Sequence, residues 1–512
     1  MSSDPEMSSN SDLAALNHRD AHWAGVRAVV TGLGISGFAA ADALLQRGAI
    51  VTVVDAGTGE EVQAQRAGAL AILGADIRSG KDAVAHWPAG LDVDVVITSP
   101  GWSPSQPILD EARRLGIPIW GDVEVAWRMR PRHGSAPWLC VTGTNGKTTT
   151  VRLLESMLRA AGLRALAVGN VGTPVVDAVL DPVPYDVIAV ELSSFQLHYS
   201  HSVSPLASAV LNVAPDHLDW HGSEQAYASA KARIYERTQV ACVYNAQDSA
   251  TEQMVINADV VQGCRAIGFT LGIPGRSMLG LVDEILADRA FIAQRADSAV
   301  ELATLQDLDP FGTPPPHMVA NVLAAAALAR AAGISPVAVR QGVHDFTPQE
   351  HRITDLGVVA GVRFVNDSKA TNPHAAAASL AAYSDVVWVA GGQLKGADIE
   401  EVVIAAAPRL RAAVLIGADR LQIAAALARH APQVRTHQVR TPDTEGMDRQ
   451  QRSRAMDAVM DDVLDAAVDL ATQGDVVLLA PAAASLDMFD SYEARGRSFT
   501  QAVRRRTGGM GS

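Results

Sequence analysis

The sequence of 512 residues has little cysteine: Cys140, Cys242 and Cys264 are scattered without any Cys-x-x-Cys spacing. This scarcity excludes a disulfide framework and a zinc cluster of ordinary spacing, so we expect reduced, buried thiols. The sequence also lacks an apolar run of about 18 residues, the length that spans a bilayer, and its polar N-terminal stretch lacks the core of a signal peptide. We therefore expect a cytoplasmic protein with no membrane span.

Positive charge is scarce as well, since 42 Lys and Arg stand against 56 Asp and Glu, for a net charge of −14. No dense basic stripe is present, so nucleic acid is not an expected partner. Aromatic residues make up only 5% of the chain, while hydrophobic residues reach 48% and glycines number 41. This composition is typical of α/β enzymes, and the length predicts two to four domains of about 100–200 residues each.

Runs of β-branched residues alternate with helical patterns along the whole chain, which predicts three consecutive α/β domains with parallel sheets. The first and third domains are expected to be Rossmann-like and the central one P-loop ATPase-like. A linker rich in Pro, Gly and basic residues at 129–137 marks the first boundary. The predicted divisions are a disordered tail (1–20), a first domain (21–133), a central domain (134–349) and a third domain (350–512), with a solvated insertion at 440–454.

One segment, Val141-Thr-Gly-Thr-Asn-Gly-Lys-Thr-Thr-Thr150, resembles a phosphate-binding loop, although Val141 stands where a standard Walker motif has its first glycine. It lies between a predicted strand and a predicted helix, where backbone N–H groups and the helix dipole attract an anion. Lys147 would neutralise phosphate oxygens and Thr148 would reach Mg²⁺. The alternative is a turn with an incidental lysine. The candidate ATP-binding residues are Gly143, Thr144, Asn145, Gly146, Lys147, Thr148 and Thr149.

Three further side chains of the central domain are candidates for chemistry. Glu191 ends a predicted strand and is either a ligand for Mg²⁺ or an exposed acid. His217 follows another strand and is either a structural hydrogen-bonding group or a metal ligand. Lys231 lies on a predicted helix, and the residues alone indicate a surface lysine.

A second glycine-rich turn, Gly32-Leu-Gly-Ile-Ser-Gly37, follows the first strand, and Asp55 ends the second. This spacing is the dinucleotide fingerprint, so an NAD-binding protein is one alternative. A different nucleotide diphosphate would use the same turn and helix terminus. In the third domain, polar clusters at 366–372, 391–395 and 483–489 follow predicted strands, and each is either a site for a small anionic substrate or a solvated turn.

Together the segments 32–37, 141–150, 366–372 and 485–499 resemble the Mur ligases of peptidoglycan synthesis, over residues 25–499, and among them the members that add D-glutamate. The resemblance implies an ATP-dependent ligase that joins D-glutamate to UDP-N-acetylmuramoyl-L-alanine through an acyl phosphate. It also implies a monomer whose partners are these small molecules. The alternatives are a folylpolyglutamate synthase, which shares the loop at 141–150, and a regulatory protein that senses a dinucleotide.

The same resemblance implies roles for individual residues. Lys147, His217 and Lys231 would be catalytic, with Lys231 N-carbamylated. Lys231 and His217 would help to position a second Mg²⁺, Thr148 and Glu191 would hold the first, and His217 is alternatively a base. The substrate contacts implied are Ile35, Ser36, Asp55, Ser99, Gly101 and Asn170 for the UDP-sugar, Asn321, Arg352 and Asp367 for ATP, and Lys369, Thr371, Lys395, Ser485 and Tyr492 for D-glutamate. Met318, Ala56 and Gly57 depart from relatives near the adenine and uridine contacts.

Overall fold

The computed structural model describes residues 13–57, 61–88, 90–170, 172–311, 314–347, 354–442 and 446–508. They form two compact units, one made of the described residues within 1–213 and 220–346 and the other of those within 214–219 and 347–512. The first unit contains two sheets and the second contains one, in the mixed α/β architecture that the sequence predicts. The domain limits within this frame stay predictions. In the described part of the chain, no helix is both long and apolar enough to cross a membrane.

The first sheet has five parallel strands in the order β3-β2-β1-β4-β5. Its central strands are almost entirely buried because runs such as Ile50-Val-Thr-Val-Val-Asp55 are covered on both faces. The strand order reverses between β1 and β4, where open α/β sheets bind their ligands. The elements are β1 Arg27–Thr31, α1 Ile35–Leu45, β2 Ile50–Asp55, α2 Glu61–Ile72, β3 Asp76–Ser79, α3 Lys81–Ala85, β4 Val95–Thr98, α4 Pro107–Arg114, β5 Ile119–Gly121 and α5 Asp122–Arg128.

The residues just before this sheet do not form the disordered tail expected for 1–20. Leu16 is 3% exposed, and Arg128 Nη1 donates to the carbonyl oxygens of Leu13 and Leu16. These two leucines supply enough apolar surface to pack on the first domain. Residues 1–12 of that predicted tail lie outside the described residues.

The second sheet has nine strands in the order β14-β13-β12-β11-β10-β9-β6-β8-β7, and β12 to β14 form an antiparallel meander at one edge. Helix α12 is alanine-rich and largely buried between its neighbours, and Pro316 at its first position suits a helix start. The elements are β6 Trp138–Thr142, α6 Lys147–Ala160, β7 Ala165–Gly169, α7 Val175–Leu180, β8 Val187–Glu191, α8 Ser194–His198, β9 Ala207–Val210, α9 Leu218–His221, α10 Glu224–Ala232, β10 Ala241–Asn245, α11 Ser249–Ile256, β11 Arg265–Phe269, β12 Met278–Val282, β13 Ile285–Asp288, β14 Val300–Thr304, α12 Pro316–Ala331 and α13 Pro336–His344.

The third sheet has six strands in the order β15-β16-β20-β17-β18-β19, all parallel to their neighbours except β15. The described residues of the predicted solvated insertion at 440–454 are mostly exposed, and its second half begins α17 at Arg449. Asp448 and Gln451 form a capping box there, and residues 443–445 lie outside the described residues. The elements are β15 Thr354–Val359, β16 Val362–Asn366, α14 Pro373–Leu380, β17 Val386–Gly391, α15 Glu400–Ala406, β18 Leu410–Ile416, α16 Arg420–His430, β19 Arg435–Gln438, α17 Arg449–Leu470, β20 Val476–Leu479 and α18 Tyr492–Gly508.

Candidate active site

The loop predicted to bind phosphate connects β6 to α6, as expected, and residues 143–149 are called the nucleotide loop below. Gly146 precedes α6 with φ +87°, a left-handed conformation that glycine adopts without strain. A Cβ on Gly146 would lie 2.4 Å from Asn321 Oδ1, so the backbone of the loop runs directly against α12. The structure therefore places Asn321, a predicted ATP contact, at the border of this loop.

Two lysines converge on the nucleotide loop. Lys147 Nζ donates to Gly143 O at 2.8 Å and to Thr144 O at 2.9 Å. Lys231 Nζ, from α10, donates to Gly143 O at 2.9 Å and lies 4.6 Å from the centre of the Tyr227 ring. Lys231 is 2% exposed, so the interpretation as a surface lysine is wrong. Two ammonium groups on one carbonyl oxygen concentrate positive charge where an anion would bind.

An asparagine that the sequence analysis did not select holds the nucleotide loop in shape. Asn212 Oδ1 accepts the Asn145 N–H at 2.9 Å, its Nδ2 donates to Asn145 O at 3.2 Å, and its own carbonyl accepts the Thr144 N–H at 3.0 Å. The Thr144 hydroxyl also lies 3.0 Å from the Tyr227 hydroxyl. The available signal was an amide side chain directly after strand β9, at the same sheet edge as the loop.

The environment of Glu191 fits a hard metal ion. This residue ends β8, is 1% exposed, and accepts a hydrogen bond from Asn170 Nδ2 at 3.1 Å through Oε1. Its Oε2 is buried and has no hydrogen-bond partner among the described residues. An unpaired buried carboxylate oxygen is costly, and a bound cation would satisfy it.

The second predicted ligand of the same ion, Thr148 in the first turn of α6, is 3% exposed. The described residues contain no group of three or more His, Cys, Asp or Glu side chains arranged to hold a metal.

His217 belongs to the short segment 214–219, which is part of the second compact unit. It has φ +53°, and its Nε2 lies 3.7 Å from Oδ2 of Asp216. The same carboxylate accepts a hydrogen bond from Asn372 Nδ2 at 3.2 Å. Asp216, which the sequence analysis did not select, thus connects His217 to the polar cluster after β16. The other three predicted metal ligands, Thr148, Glu191 and Lys231, belong to the first compact unit.

The first glycine loop, residues 32–37, connects β1 to α1. A Cβ on Gly32, at φ +90°, would lie 2.8 Å from Trp102 Nε1 and 2.9 Å from Ser99 Oγ. Asp55 Oδ2 accepts the Leu33 N–H at 2.8 Å, and its Oδ1 accepts the Gly57 N–H at 2.8 Å. Asp55 therefore organises this loop. Among the other predicted UDP-sugar contacts, the Ser99 Oγ atom is buried and has no hydrogen-bond partner in the described part of the chain. At the start of α1, Ile35 is exposed and Ser36 is half-buried. Gly101 lies in the exposed turn after β4.

A buried carboxylate joins the first two domains into one unit. Glu124, on α5, accepts hydrogen bonds from the backbone N–H of His201 at 2.7 Å and of Ser202 at 2.9 Å, and from the Ser202 hydroxyl at 2.6 Å. Arg128 Nε donates to it at 2.7 Å. Burial acts to raise the pKa of Glu124, but the Ser202 bonds and Arg128 lower it below its usual range, so the carboxylate stays ionised.

The third domain is organised around Arg495, a fully buried residue that the sequence analysis did not select as a site residue. Its guanidinium donates to Ser368 Oγ at 3.0 Å, to Ser368 O at 2.9 Å and to Ala483 O at 3.1 Å. Burial lowers the pKa of Arg495 to about 9, which leaves it charged at neutral pH. One cation on α18 therefore joins the loops that follow β16 and β20.

The predicted D-glutamate contacts lie on the loops at the carboxyl edge of this third sheet. Lys369 Nζ lies 3.9 Å from the centre of the Tyr492 ring, and the Gln393 N–H bonds to Ala484 O at 2.9 Å, which brings the loops of Lys395 and Ser485 together. Thr371 donates its N–H to Lys369 O. Of the two ATP contacts predicted in this domain, Asp367 is 7% exposed and accepts a hydrogen bond from the Ser379 hydroxyl. The other, Arg352, lies outside the described residues.

The three sheets define a multidomain α/β protein, and its central sheet carries a glycine loop between a strand and a helix with two lysines on one of the loop's carbonyl oxygens. The model of the Mur ligase middle domain matches residues 141–329, and that of the Mur ligase glutamate ligase domain matches residues 351–483. The chain belongs to the Mur ligase family.

Curated relatives extend this match to nearly the whole chain. A protein of Streptomyces avermitilis named UDP-N-acetylmuramoylalanine--D-glutamate ligase is 53% identical, over 94% of this chain and 99% of its own length. Proteins of the same name from Thermobifida fusca and Mycolicibacterium smegmatis are 52% and 45% identical, over 94% of this chain in each case and 98% and 97% of their own lengths.

Solved structures share the fold at low sequence identity. A UDP-N-acetylmuramate-alanine ligase from Thermotoga maritima superposes with a TM-score of 0.52 at 18% identity, over 94% of this chain and 99% of its own. A type C pseudomurein peptide ligase from Methanothermus fervidus gives a TM-score of 0.53 at 16% identity, over 94% and 100%. These likenesses support the three-domain architecture.

Proposed function

We propose that this protein is an ATP-dependent ligase that joins D-glutamate to UDP-N-acetylmuramoyl-L-alanine in peptidoglycan precursor synthesis. Support comes from the near full-length similarity to relatives of that name, together with the convergence of Lys147 and Lys231 on Gly143 O. The substrates are small molecules, the enzyme acts in the cytoplasm as a monomer, and nucleic acid has no part in the reaction.

The first chemical step is attack of the L-alanyl carboxylate on the γ-phosphate of ATP, which gives an acyl phosphate and ADP. The nucleotide loop binds the phosphate chain through its backbone N–H groups at the start of α6. Lys147 exchanges its two carbonyl partners for phosphate oxygens and stabilises the charge that develops during transfer. Asn212 and Asn321 keep the loop in the shape that this binding requires, and Asn321 also contacts the adenine.

Mg²⁺ would neutralise phosphate charge when bound, and Thr148 with Glu191 Oε2 would hold one ion. The second proposed ion would be held by His217 and by Lys231 as an N-carbamate. Addition of CO₂ to the neutral Lys231 amine, with loss of a proton, turns a cation into an anion. The carbamate N–H remains a donor to Gly143 O, so the contact seen in the structure is compatible with the modification.

The second chemical step is attack of the D-glutamate amine on the acyl phosphate, which gives the amide and releases phosphate. Lys369 and Lys395 would bind the two carboxylates of D-glutamate, whereas Arg352 would contact ATP. Ser485, Thr371 and Tyr492 would orient the amino acid, and Asp367 would contact ATP. His217 is the candidate base, although positioning of the metal is the role that we favour.

The first glycine loop would bind the UDP group. Ile35, Ser36 and the unpaired Ser99 hydroxyl border the helix terminus where a diphosphate would lie. Gly101 and Asn170 complete the proposed set, and Asp55 would accept a hydrogen bond from a ribose or base donor.

Measurement of phosphate release with each substrate omitted in turn tests the proposal. Release is expected only when ATP, UDP-N-acetylmuramoyl-L-alanine and D-glutamate are all present. Release that persists without D-glutamate or without the muramoyl substrate would contradict the ligase reaction. Release with a folate in place of the muramoyl substrate would favour the folylpolyglutamate alternative, and tight NAD binding without turnover would favour the sensor.

The carbamate on Lys231 is tested separately. Lys231→Ala should lose nearly all activity, and short carboxylic acids should restore part of it by replacing the missing anion. A variant whose activity bicarbonate and carboxylic acids leave unchanged would count against carbamylation.

A further inference from the structure

Two cysteines far apart in sequence meet in the central domain. Cys242 lies on β10 and Cys264 one residue before β11, and their Sγ atoms are 3.8 Å apart. Cys242 pairs with Ala266 across the parallel ladder. Because side chains alternate along a strand, Cys264 shares the face of Ala266 and therefore of Cys242. The 22-residue separation conceals this pair in the sequence.

The two thiols differ in access and acidity. Cys242 is 2% exposed, whereas Cys264 is only half-buried. The hydrogen bond from Cys242 lowers the pKa of Cys264, and the same bond together with burial raises the pKa of Cys242. Cys264 is therefore the thiol that forms a nucleophilic thiolate within reach of solvent, and Cys242 is the partner held behind it.

The backbone at Cys264 lies outside the strand. Its N–H bonds to Val261 O at 3.0 Å in a turn that contains Gly263 at φ +93°. A disulfide has an S–S distance of about 2.0 Å, so the sulfur atoms must approach by a little under 2 Å. Side-chain rotation and a shift of this turn can provide that movement without disruption of the β10–β11 ladder.

We propose that Cys264 and Cys242 form a two-electron oxidation site that closes to an intramolecular disulfide when a peroxide is the oxidant. The Cys264 thiolate attacks one peroxide oxygen, the O–O bond breaks, and hydroxide leaves while Cys264 becomes a sulfenic acid. The Cys242 sulfur then attacks the Cys264 sulfur, the S–O bond breaks, and hydroxide departs with the Cys242 proton as water. In total, two thiols lose two electrons and two protons, and one peroxide becomes two waters.

The disulfide would close a loop that contains α11, and this restricts the unfolded chain. The melting temperature should therefore rise on oxidation, by about 2–4 °C. This inference rests on the contact between the two sulfur atoms and on the different exposure of the two thiols, and it is independent of the proposed ligase activity.

Mass spectrometry of the full-length reduced protein after treatment with a small excess of hydrogen peroxide tests the site. The intact mass should fall by that of two hydrogen atoms, and digestion without reductant should release a linked Cys242–Cys264 peptide that dithiothreitol separates. A product that only gains oxygen, or a disulfide between two chains, would overturn the proposal.

Variants test the order of the two steps. Cys242→Ser should leave Cys264 as a sulfenic acid that dimedone labels, whereas Cys264→Ser should show no comparable labelling. Cys140→Ala is the matched control and should still lose two hydrogen atoms, because burial raises the pKa of the isolated Cys140 thiol and it takes no part. Equal labelling of the two single variants would contradict the assigned order. If a variant does not fold by circular dichroism, the peptide map of the unaltered protein decides.

Discussion

The two glycine loops of the first unit have the same local design and different internal partners. Each follows a buried parallel strand, contains a glycine with positive φ, and begins a helix. In the first loop a carboxylate, Asp55, accepts the Leu33 N–H. In the nucleotide loop a neutral amide, Asn212, accepts the Asn145 N–H, and two lysines surround the turn.

The two loops therefore share their glycine spacing but differ in the charge of the side chains around them. In the function proposed above, Asp55 beside the first loop would accept a hydrogen bond from a ribose hydroxyl or a base N–H. The lysines beside the nucleotide loop would attract a polyphosphate. Four predictions, in order of decreasing effect, would break or sharpen this comparison.

Loss of the loop cation should have the largest effect. Lys147→Ala removes the ammonium that stabilises phosphate transfer, so we expect kcat for phosphate release to fall by about 10²–10³-fold. Lys81→Ala is the matched control, since Lys81 is exposed at the start of α3. A loss below about tenfold in steady-state turnover would show that the nucleotide loop does not depend on this charge.

Addition of a Cβ should separate the ligands of the two loops. Gly146→Ala places the new atom against Asn321 and should lower kcat/KM for ATP by about 10–100-fold. Gly32→Ala places its Cβ against Trp102 and should instead raise KM for the UDP-linked substrate, with KM for ATP unchanged. Gly162→Ala has a similar positive φ of +83° and no neighbouring atom within 4 Å, so it controls for backbone strain. Equal effects of the first two on both substrates would remove the distinction.

Removal of the side chains that hold the loops should have a moderate effect. Asn212→Ala leaves the Asn145 N–H without its partner, at a cost of about 1–3 kcal/mol, and should raise KM for ATP about tenfold. Asp55→Ala removes the acceptor of the Leu33 N–H and should therefore raise KM for the UDP-linked substrate, with KM for ATP unchanged. Asn257→Ala, at an exposed position, is the control in the same steady-state assay.

The aromatic cluster around His198 should make the stability of the protein slightly dependent on pH. His198 packs edge-on against Tyr199 and Trp220, and burial, assisted by Arg233, lowers its pKa to about 4. A folded-state pKa below the unfolded value of about 6.5 means that stability is complete above pH 6.5 and declines towards pH 4. After allowance for solvent screening, we expect a loss of about 1–2 kcal/mol.

Urea unfolding at pH 4.5 and pH 7 measures this loss. His198→Gln should flatten the difference between the two values, and His344→Gln, at an exposed position, should leave it intact. If His198→Gln loses as much free energy of unfolding between pH 7 and pH 4.5 as the unaltered protein does, other groups cause the acid sensitivity.

Local and contiguous features were predictable from the sequence. Buried strands such as Trp138–Thr142, Val187–Glu191 and Val362–Asn366 were predictable because short, largely apolar runs rich in Val specify strands covered on both faces. The nucleotide loop was predictable because one short segment carries its glycines, its lysine and its helix start.

Features that depend on distant contacts were not predictable. Helix α10 has little in its local pattern that predicts a buried Lys231, whereas the structure shows its hydrogen bond to Gly143 O, 88 residues away in sequence. Asn212 and Arg495 act across 67 and 127 residues on Asn145 and Ser368, respectively. The antiparallel meander β12 to β14 has short strands and weak alternation, so no period distinguishes it from loops.

The buried guanidinium of Arg495 affects the order in which the chain folds during its synthesis on the ribosome. Each backbone carbonyl or hydroxyl that it binds, at Ser368, Gly391 and Ala483, is synthesised before it. Ser368 precedes Arg495 by 127 residues, which corresponds to roughly 6–25 s of translation at ordinary elongation rates. During that interval the nucleotide loop is already synthesised, while the loops proposed to hold D-glutamate still lack their central cation. A nascent chain would therefore acquire its phosphate-binding half first and its amino-acid pocket only after residue 495 leaves the exit tunnel.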